Sequence, residues 1–316
     1  MRSDSFTVPA GEGTVFVYRW LPDGDAKAIV VVAHGMAEHA GRYARFAHAL
    51  TDAGYAVYAP DHRGHGRSVR DERELGIAGP DGWNGMVRDL ERVVETARAE
   101  HSQRPSFAFG HSMGSTLVQR YIELHGELLA GAILSGTYAS VAGLPLLSMI
   151  AGALARGAGA RKPSPLLKKV FADFNKPFAG ETDFAWLSRD ADEVRKYVGD
   201  PRCGFAVSNG FVADMARFYR DVWDPANEAK IPHELPILIF SGEHDVVGKV
   251  MAEPNALAAR YRANGLTDVT VKGYREARHE TLNETNRDEV TQDVLAWLDA
   301  RTASAPPHGE RAASEP

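Results

Sequence analysis

The 316-residue chain is 44% hydrophobic and 25% charged with a formal net charge of -6, which suits one large α/β domain or two ordinary ones with a sizeable core. The mildly acidic balance argues against nucleic acid as a principal partner, because phosphate neutralisation needs a basic face. The lone cysteine, Cys203, excludes an intrachain disulfide and speaks against a cysteine-built metal site; a small apolar filler is expected there.

The chain opens on Met1-Arg2-Ser3-Asp4-Ser5-Phe6, followed by alternating residues and not by an apolar stretch with a cleavage site, so a cytoplasmic location is expected. Short apolar runs alternate with helical stretches to about residue 136, the pattern of a mostly parallel sheet covered by helices. Strands are expected at Thr14–Trp20, Ala28–Ala33, Ala56–Ala59, Ser106–Phe109 and Gly131–Leu134. From about 137 to 231 the strand signal gives way to helices, prolines and aromatics, a helical insertion into the sheet. Ala130 to Ala155 carries no charge and exceeds the length criterion for a membrane span. Its serines, glycines and Pro145 break the apolar continuity, and its first part is needed as a strand; an apolar helix covering the active site is the simpler account. The alternation returns with strands at Ile237–Phe240 and Val269–Val271 and a closing helix, Arg287–Ala300, whose Val290, Val294, Trp297 and Leu298 form an apolar face. Residues 303–316, with three prolines and no large apolar residue, read as a disordered tail.

The chemistry centres on Gly110-His111-Ser112-Met113-Gly114, a G-x-S-x-G turn placed between an apolar strand and a helix as a nucleophilic serine requires. Ser112 needs a base, and the base a carboxylate to orient it. Asp245 follows the Ile237–Phe240 strand, and His279, among twelve histidines, alone occupies a loop between the last strand and the final helix. Glu243 competes for the acid role but sits closer to its strand, which favours Asp245. Two backbone N–H groups are expected to form the oxyanion hole. One is that of Met113, directly after the nucleophile. The other is that of Met36, in the His34-Gly35-Met36-Ala37-Glu38-His39 turn, which could instead be a simple strand-ending turn. Asp61-His62-Arg63-Gly64-His65-Gly66-Arg67-Ser68 lacks the Lys and Ser/Thr placement of a phosphate loop and reads as a structural turn.

Together with Arg42-Tyr43, Gly242 and Ala277-Arg278-His279-Glu280, these motifs resemble the α/β-hydrolase fold, and within it the monoacylglycerol lipase and lysophospholipase group of serine hydrolases. The resemblance covers about residues 10–136 and 232–300. It implies a core of 1–136 and 232–302 around a mostly parallel sheet, with 137–231 as a helical cap. It implies Ser112 as nucleophile, His279 as base and then acid, Asp245 as orienting carboxylate, and the Met36 and Met113 amides as oxyanion hole, without metal or cofactor. The implied activity is ester hydrolysis through an acyl-enzyme, on monoacylglycerol or lysophospholipid as small-molecule substrate. Short soluble esters, thioesters and amino-terminal proline peptides are alternatives for the same triad, and a non-catalytic ligand-binding protein is an alternative of another class. In the insertion, apolar Leu144, Leu146, Leu147, Met149, Ile150 and Leu154 precede Arg156, Arg161, Lys162, Lys168 and Lys169, with no acidic residue from 156 to 169. This suits contact of the cap with an anionic membrane surface; the alternative is a solvated loop flanking a buried cap helix.

Overall fold

A computed structural model describes residues 1–11, 13–178 and 181–304. Eight strands form one sheet in the order β1-β2-β4-β3-β5-β6-β7-β8. They are β1 Arg2–Ala10, β2 Gly13–Leu21, β3 Ala28–Ala33, β4 Tyr55–Pro60, β5 Ser106–His111, β6 Gly131–Ser135, β7 Ile237–Gly242 and β8 Val269–Tyr274. The pairs β1·β2 and β2·β4 are antiparallel and the rest parallel. With its flanking helices this is the α/β-hydrolase fold.

β1 was not among the expected strands. Its Phe6, Val8 and Ala10 alternate with the exposed Thr7 and Pro9, and most of it is exposed at the sheet edge, so it carries no continuous apolar run. The central strands are buried along their whole length, as parallel strands covered on both faces must be. Their alternation divides the core. Ile29, Val31 and Ala33 of β3 face one apolar layer, and Ala28, Val30 and Val32 the other.

On the first face pack α2 (Gly82–Glu100), α3 (Met113–His125) and α9 (Ala252–Ala263), through residues such as Leu90, Leu117 and Leu257. On the second lie α1 (Ala44–Asp52) and α10 (Arg287–Ser304), with Phe46 and Leu50 joined by Val290, Val294, Trp297 and Leu298. The closing helix therefore extends to Ser304, two residues into the expected tail; residues 305–316 lie outside the described residues. Between β6 and β7 come α4 (Leu144–Leu154), α5 (Pro165–Asn175), α6 (Ala191–Gly199), α7 (Asn209–Val222) and α8 (Pro225–Glu228). Ala151 is the only fully buried residue of α4, so this apolar helix is not a buried one. No helix among the described residues is long and apolar enough to cross a membrane.

The chain leaves β3 for β4 on one side and reaches β5 on the other. The strand order reverses there, and the crevice beyond the carboxyl ends of β3 and β5 is the natural ligand site of such a sheet. Two glycines set its tightness. A Cβ on Gly114 would lie 2.0 Å from the Ala33 carbonyl oxygen at the end of β3, and one on Gly110 would lie 2.3 Å from the Gly114 oxygen. The Asp61–Ser68 segment is a structural turn wound on its aspartate. Asp61 accepts from the Ala40 N–H at 2.8 Å and the Arg67 N–H at 2.6 Å, while its own carbonyl accepts from Ser68 Oγ at 2.6 Å.

Gly114→Ala is expected to cost about 3 kcal/mol or more, because the clash is with backbone and not with a movable side chain. Gly152→Ala, in α4 with nothing within 4 Å of the new methyl, should instead stabilise by about 0.5–1 kcal/mol. Urea unfolding of the two variants checks the contrast.

Candidate active site

Ser112 sits between the last residue of β5 and the first of α3, with φ 52° and ψ -117°. Such a conformation costs a non-glycine residue about 1–3 kcal/mol and persists only where its surroundings fix it. Here the Ser112 N–H donates to the Ser135 carbonyl at 2.9 Å. The Ser112 carbonyl accepts from the Ser115 N–H at 2.9 Å and Ser115 Oγ at 2.6 Å.

Asp245 and His279 are fully buried on the loops after β7 and β8. Gly242 allows the approach of the two loops, since a Cβ there would fall 2.1 Å from the Ala277 oxygen. His279 Nδ1 lies 3.0 Å from both carboxylate oxygens of Asp245. Those oxygens also accept from Ser241 Oγ at 2.6 Å and the Val247 N–H at 2.8 Å. Burial opposes charge on both partners, but their mutual attraction and hydrogen bonds prevail, holding the Asp245 carboxyl below and the His279 imidazole above its ordinary value. With Nδ1 donating to Asp245, the neutral ring presents its lone pair at Nε2, which is buried without a hydrogen-bond partner. The Ser112–His279 hydrogen bond is thus not made in this structure, although both side chains line one cavity. Catalytic hydrogen bonds of this kind commonly tighten only around substrate. Trp186 lies against the imidazole at 5.2 Å between ring centres, and the His111 ring at 4.8 Å.

Met36 and Met113 border the same cavity. Met113 is the first residue of α3, where helical geometry leaves the N–H without an internal partner and the helix dipole favours negative charge. The Met36 N–H shares its peptide plane with the Gly35 carbonyl, and that carbonyl accepts from His34 Nδ1 at 2.7 Å. In a trans peptide the N–H points opposite to the C=O, so the buried His34 ring turns the Met36 N–H away from itself. His34 is held in turn, because its Nε2 accepts from the His62 N–H at 2.9 Å. The Gly35 N–H is pinned by Glu38 Oε1 at 2.6 Å.

Sequence reasoning assigned no role to Glu38, Arg42, Tyr43 and Glu280, which form a buried ionic bridge across the site. Arg42 binds Glu38 and holds both Glu280 oxygens, at 2.7 and 2.6 Å, and the Tyr43 hydroxyl donates to Glu38 at 2.9 Å. Burial by itself would raise both carboxyls, yet the Arg42 charge between them keeps each below its ordinary range. The Glu38/Arg42 spacing of four residues was the available signal, but Glu280 is 238 residues from Arg42 and no local pattern reveals it. Trp186 and Leu187 were missed as well; their carbonyls accept from the His279 N–H at 3.3 Å and the Glu280 N–H at 2.7 Å. Glu243, the rival acid, is exposed. Cys203 is partly buried, and burial pushes its thiol up.

The cavity measures about 290 Å³. Beyond the polar groups above, its walls are mainly apolar, with Leu147, Leu166, Phe174, Met215 and Val246 among them. The arrangement gathers the Ser112 hydroxyl, a histidine with an unpartnered Nε2 and the residues Met36 and Met113 around one mainly apolar chamber.

The family model described as serine aminopeptidase, S33, matches residues 24–286. The chain is 32% identical over 298 residues to a monoacylglycerol lipase of Mycolicibacterium smegmatis, covering 92% of this chain and 95% of that protein. It is 30% identical over 303 residues to the monoglyceride lipase of Mus musculus, covering 92% and 88% respectively. Among solved structures, a thermostable carboxyl esterase from Bacillus coagulans in complex with glycerol superposes with a TM-score of 0.89 at 26% identity, covering 96% of this chain and 99% of that one.

A base at Nε2 works only when neutral, and the Asp245 carboxylate holds His279 above its ordinary value. Ester hydrolysis should therefore rise with pH through a midpoint above the usual histidine range, near 6.5. Asp245→Asn removes the raising charge and leaves burial, which lowers the pKa. The acid limb should shift to lower pH while the rate falls on the order of 10³–10⁴-fold; a pH–rate profile of both proteins reads the two effects.

Proposed function

We propose that the chain, which belongs to the serine aminopeptidase S33 family and is a hydrolase, cleaves carboxylic esters of single-chain lipids through an acyl-enzyme. The observation that carries this reading is the Asp245-clamped His279, whose unpartnered Nε2 shares a cavity with the strained Ser112. Ser112 Oγ attacks the ester carbonyl and passes its proton to His279 Nε2, while Asp245 stabilises the resulting imidazolium. The Met36 and Met113 amides receive the oxyanion charge. His279 returns the proton to the departing alcohol, leaving acyl-Ser112. Water, deprotonated by His279, then releases the acid and restores the serine.

Residues 137–231 act in this reading as a cap that supplies the apolar wall. The lining bears on the substrate class. An amino-terminal peptide needs a carboxylate for its charged amine, but the cavity-lining carboxylates are Glu38 and Glu280, and both are held by Arg42. The lining residues of α4 to α7 are apolar or hydroxyl-bearing, which favours an acyl chain. The relatives named for monoacylglycerol lipase activity support the same class.

A fluorophosphonate probe should label the wild type and leave Ser112→Ala unlabelled; equal labelling would sink the mechanism. Across p-nitrophenyl butyrate, monoacylglycerols and lysophosphatidyl lipids, the lipid esters should have the higher kcat/KM. Preference for the short soluble ester would demote the lipid reading.

The cap surface extends it to a lipid interface. Leu146 and Met149 of α4 are 57% and 66% exposed. Lys169 and Lys176 pair with Asp173, but among the described residues Arg156, Arg161, Lys162 and Lys168 pair with no carboxylate. Exposed apolar side chains beside such cations suit an anionic lipid surface, where each near-surface cation contributes about 1 kcal/mol. Phosphatidylserine vesicles should sediment the protein more than phosphatidylcholine vesicles do. Lys168→Gln should reduce the difference and Met149→Ser the binding itself; equal sedimentation with both vesicles would count against the charge contribution.

A further inference from the structure

Helix α5 stands between two hollows. Its inner side borders the cavity that holds Ser112 and His279. On its outer side a second cavity of about 700 Å³ lies between α5 and residues 183–184 and 204–207. Leu167 and Phe171, one helical turn apart, line both cavities. Leu167 is also the only fully buried residue of α5, so this helix is a thin wall with little core of its own.

Its ends are fixed while its middle faces space. At the amino end the Ser164 N–H donates to the Val207 carbonyl at 2.8 Å. At the carboxyl end Asn175 Oδ1 accepts from the Trp186 N–H at 3.3 Å, and Asn175 Nδ2 donates to the Thr182 carbonyl at 2.5 Å. The Phe171 ring stacks on Trp186 at 5.9 Å with 20° between planes, and Trp186 lies against His279. Phe171 is therefore two ring contacts from the imidazole on one side and open to the second cavity on the other. The outer cavity is apolar at Ala172, Phe184, Phe205 and Val207, with Lys168, Lys176 and Asp183 also on its lining. Hydrocarbon fits the apolar part; the charged side chains can extend to water.

We infer that the outer cavity is a second hydrocarbon chamber, which takes the distal methylenes of a long acyl chain bound at Ser112, with Leu167 and Phe171 as the partition that chain must pass. The inference rests on the acyl-ester reading above and adds a chain-length determinant to it. A rotamer change at Phe171 opens the passage, a motion that needs no backbone rearrangement. Short chains end in the inner cavity and make no use of the partition.

The test is the ratio of kcat/KM for p-nitrophenyl palmitate to that for p-nitrophenyl butyrate. Ala172 is exposed and lines the outer cavity alone, so Ala172→Trp places an indole in part of that chamber, beside the partition, without entering the inner one. It should lower the ratio about tenfold, the effect of losing roughly two buried methylenes, with butyrate hydrolysis kept as the internal sign of a folded site. Phe171→Ala, which removes the partition, should raise the ratio. Should Ala172→Trp fail to fold, Ala172→Leu carries the same expectation at smaller size. An unchanged ratio in an active Ala172 variant overturns the second chamber and leaves the ester hydrolase reading standing. Absence of Ser112-dependent hydrolysis at every chain length in the wild type overturns both.

Discussion

The approach of Gly114 to the last carbonyl of β3 is the contact on which the site depends. It seats the amino end of α3 on the end of β3 with no room for a side chain, and so brings the turn after β3 beside the serine that closes β5. Ser112 is held at positive φ by hydrogen bonds to β6 and from α3. The strain is local, but the force that sustains it comes from a sheet buried on both faces. A looser junction would let the backbone relax and would move Ser112 relative to the turn after β3.

Around that junction three loops, remote in sequence, are locked by buried polar groups. Arg42 ties the turn after β3 to the residue following His279 through Glu38 and Glu280. Removing one partner would leave an uncompensated buried charge, which costs more than the bridge contributes as a whole. His34 and Glu38 grip the two peptides of Gly35 from either side, so the direction of the Met36 N–H follows from the hydrogen bonds of its neighbours. The same loops anchor the helices above. The Tyr197 hydroxyl and the Gly204 N–H both donate to the Ala37 carbonyl at 2.9 Å, and the Trp186 and Leu187 carbonyls receive the His279 and Glu280 amides. The apolar chamber and the polar machinery are thereby one structure.

Much of the fold was legible because its central strands are apolar runs of five or six residues separated by helical periodicity. Ser112, Asp245 and His279 stood out because their motifs are local: a strand-turn-helix for the serine, and strand-ending loops for the acid and the base. β1 escaped notice because an edge strand exposed along most of its length needs only a half-apolar pattern. The exposure of α4 was equally unreadable, since an apolar sequence reads alike whether a helix is buried beneath others or faces outward. The Arg42–Glu280 pair, the His62 hold on His34 and the cavities on either side of α5 join residues tens to hundreds of positions apart, and no periodicity encodes such meetings.

By itself the sequence determined a mostly parallel sheet covered by helices, the order of the nucleophile, acid and base candidates, and the absence of an intrachain disulfide, because these follow from hydrophobic period, short turn motifs and a count of cysteines; the α/β-hydrolase class came from the resemblance of its motifs to that fold. Only the tertiary structure decided which nitrogen of His279 meets Asp245, which way the Gly35–Met36 peptide faces, and how far an apolar space extends beyond Ser112. Those depend on the angle at which separate loops converge, and that angle is set by the packing of the whole sheet and its helices.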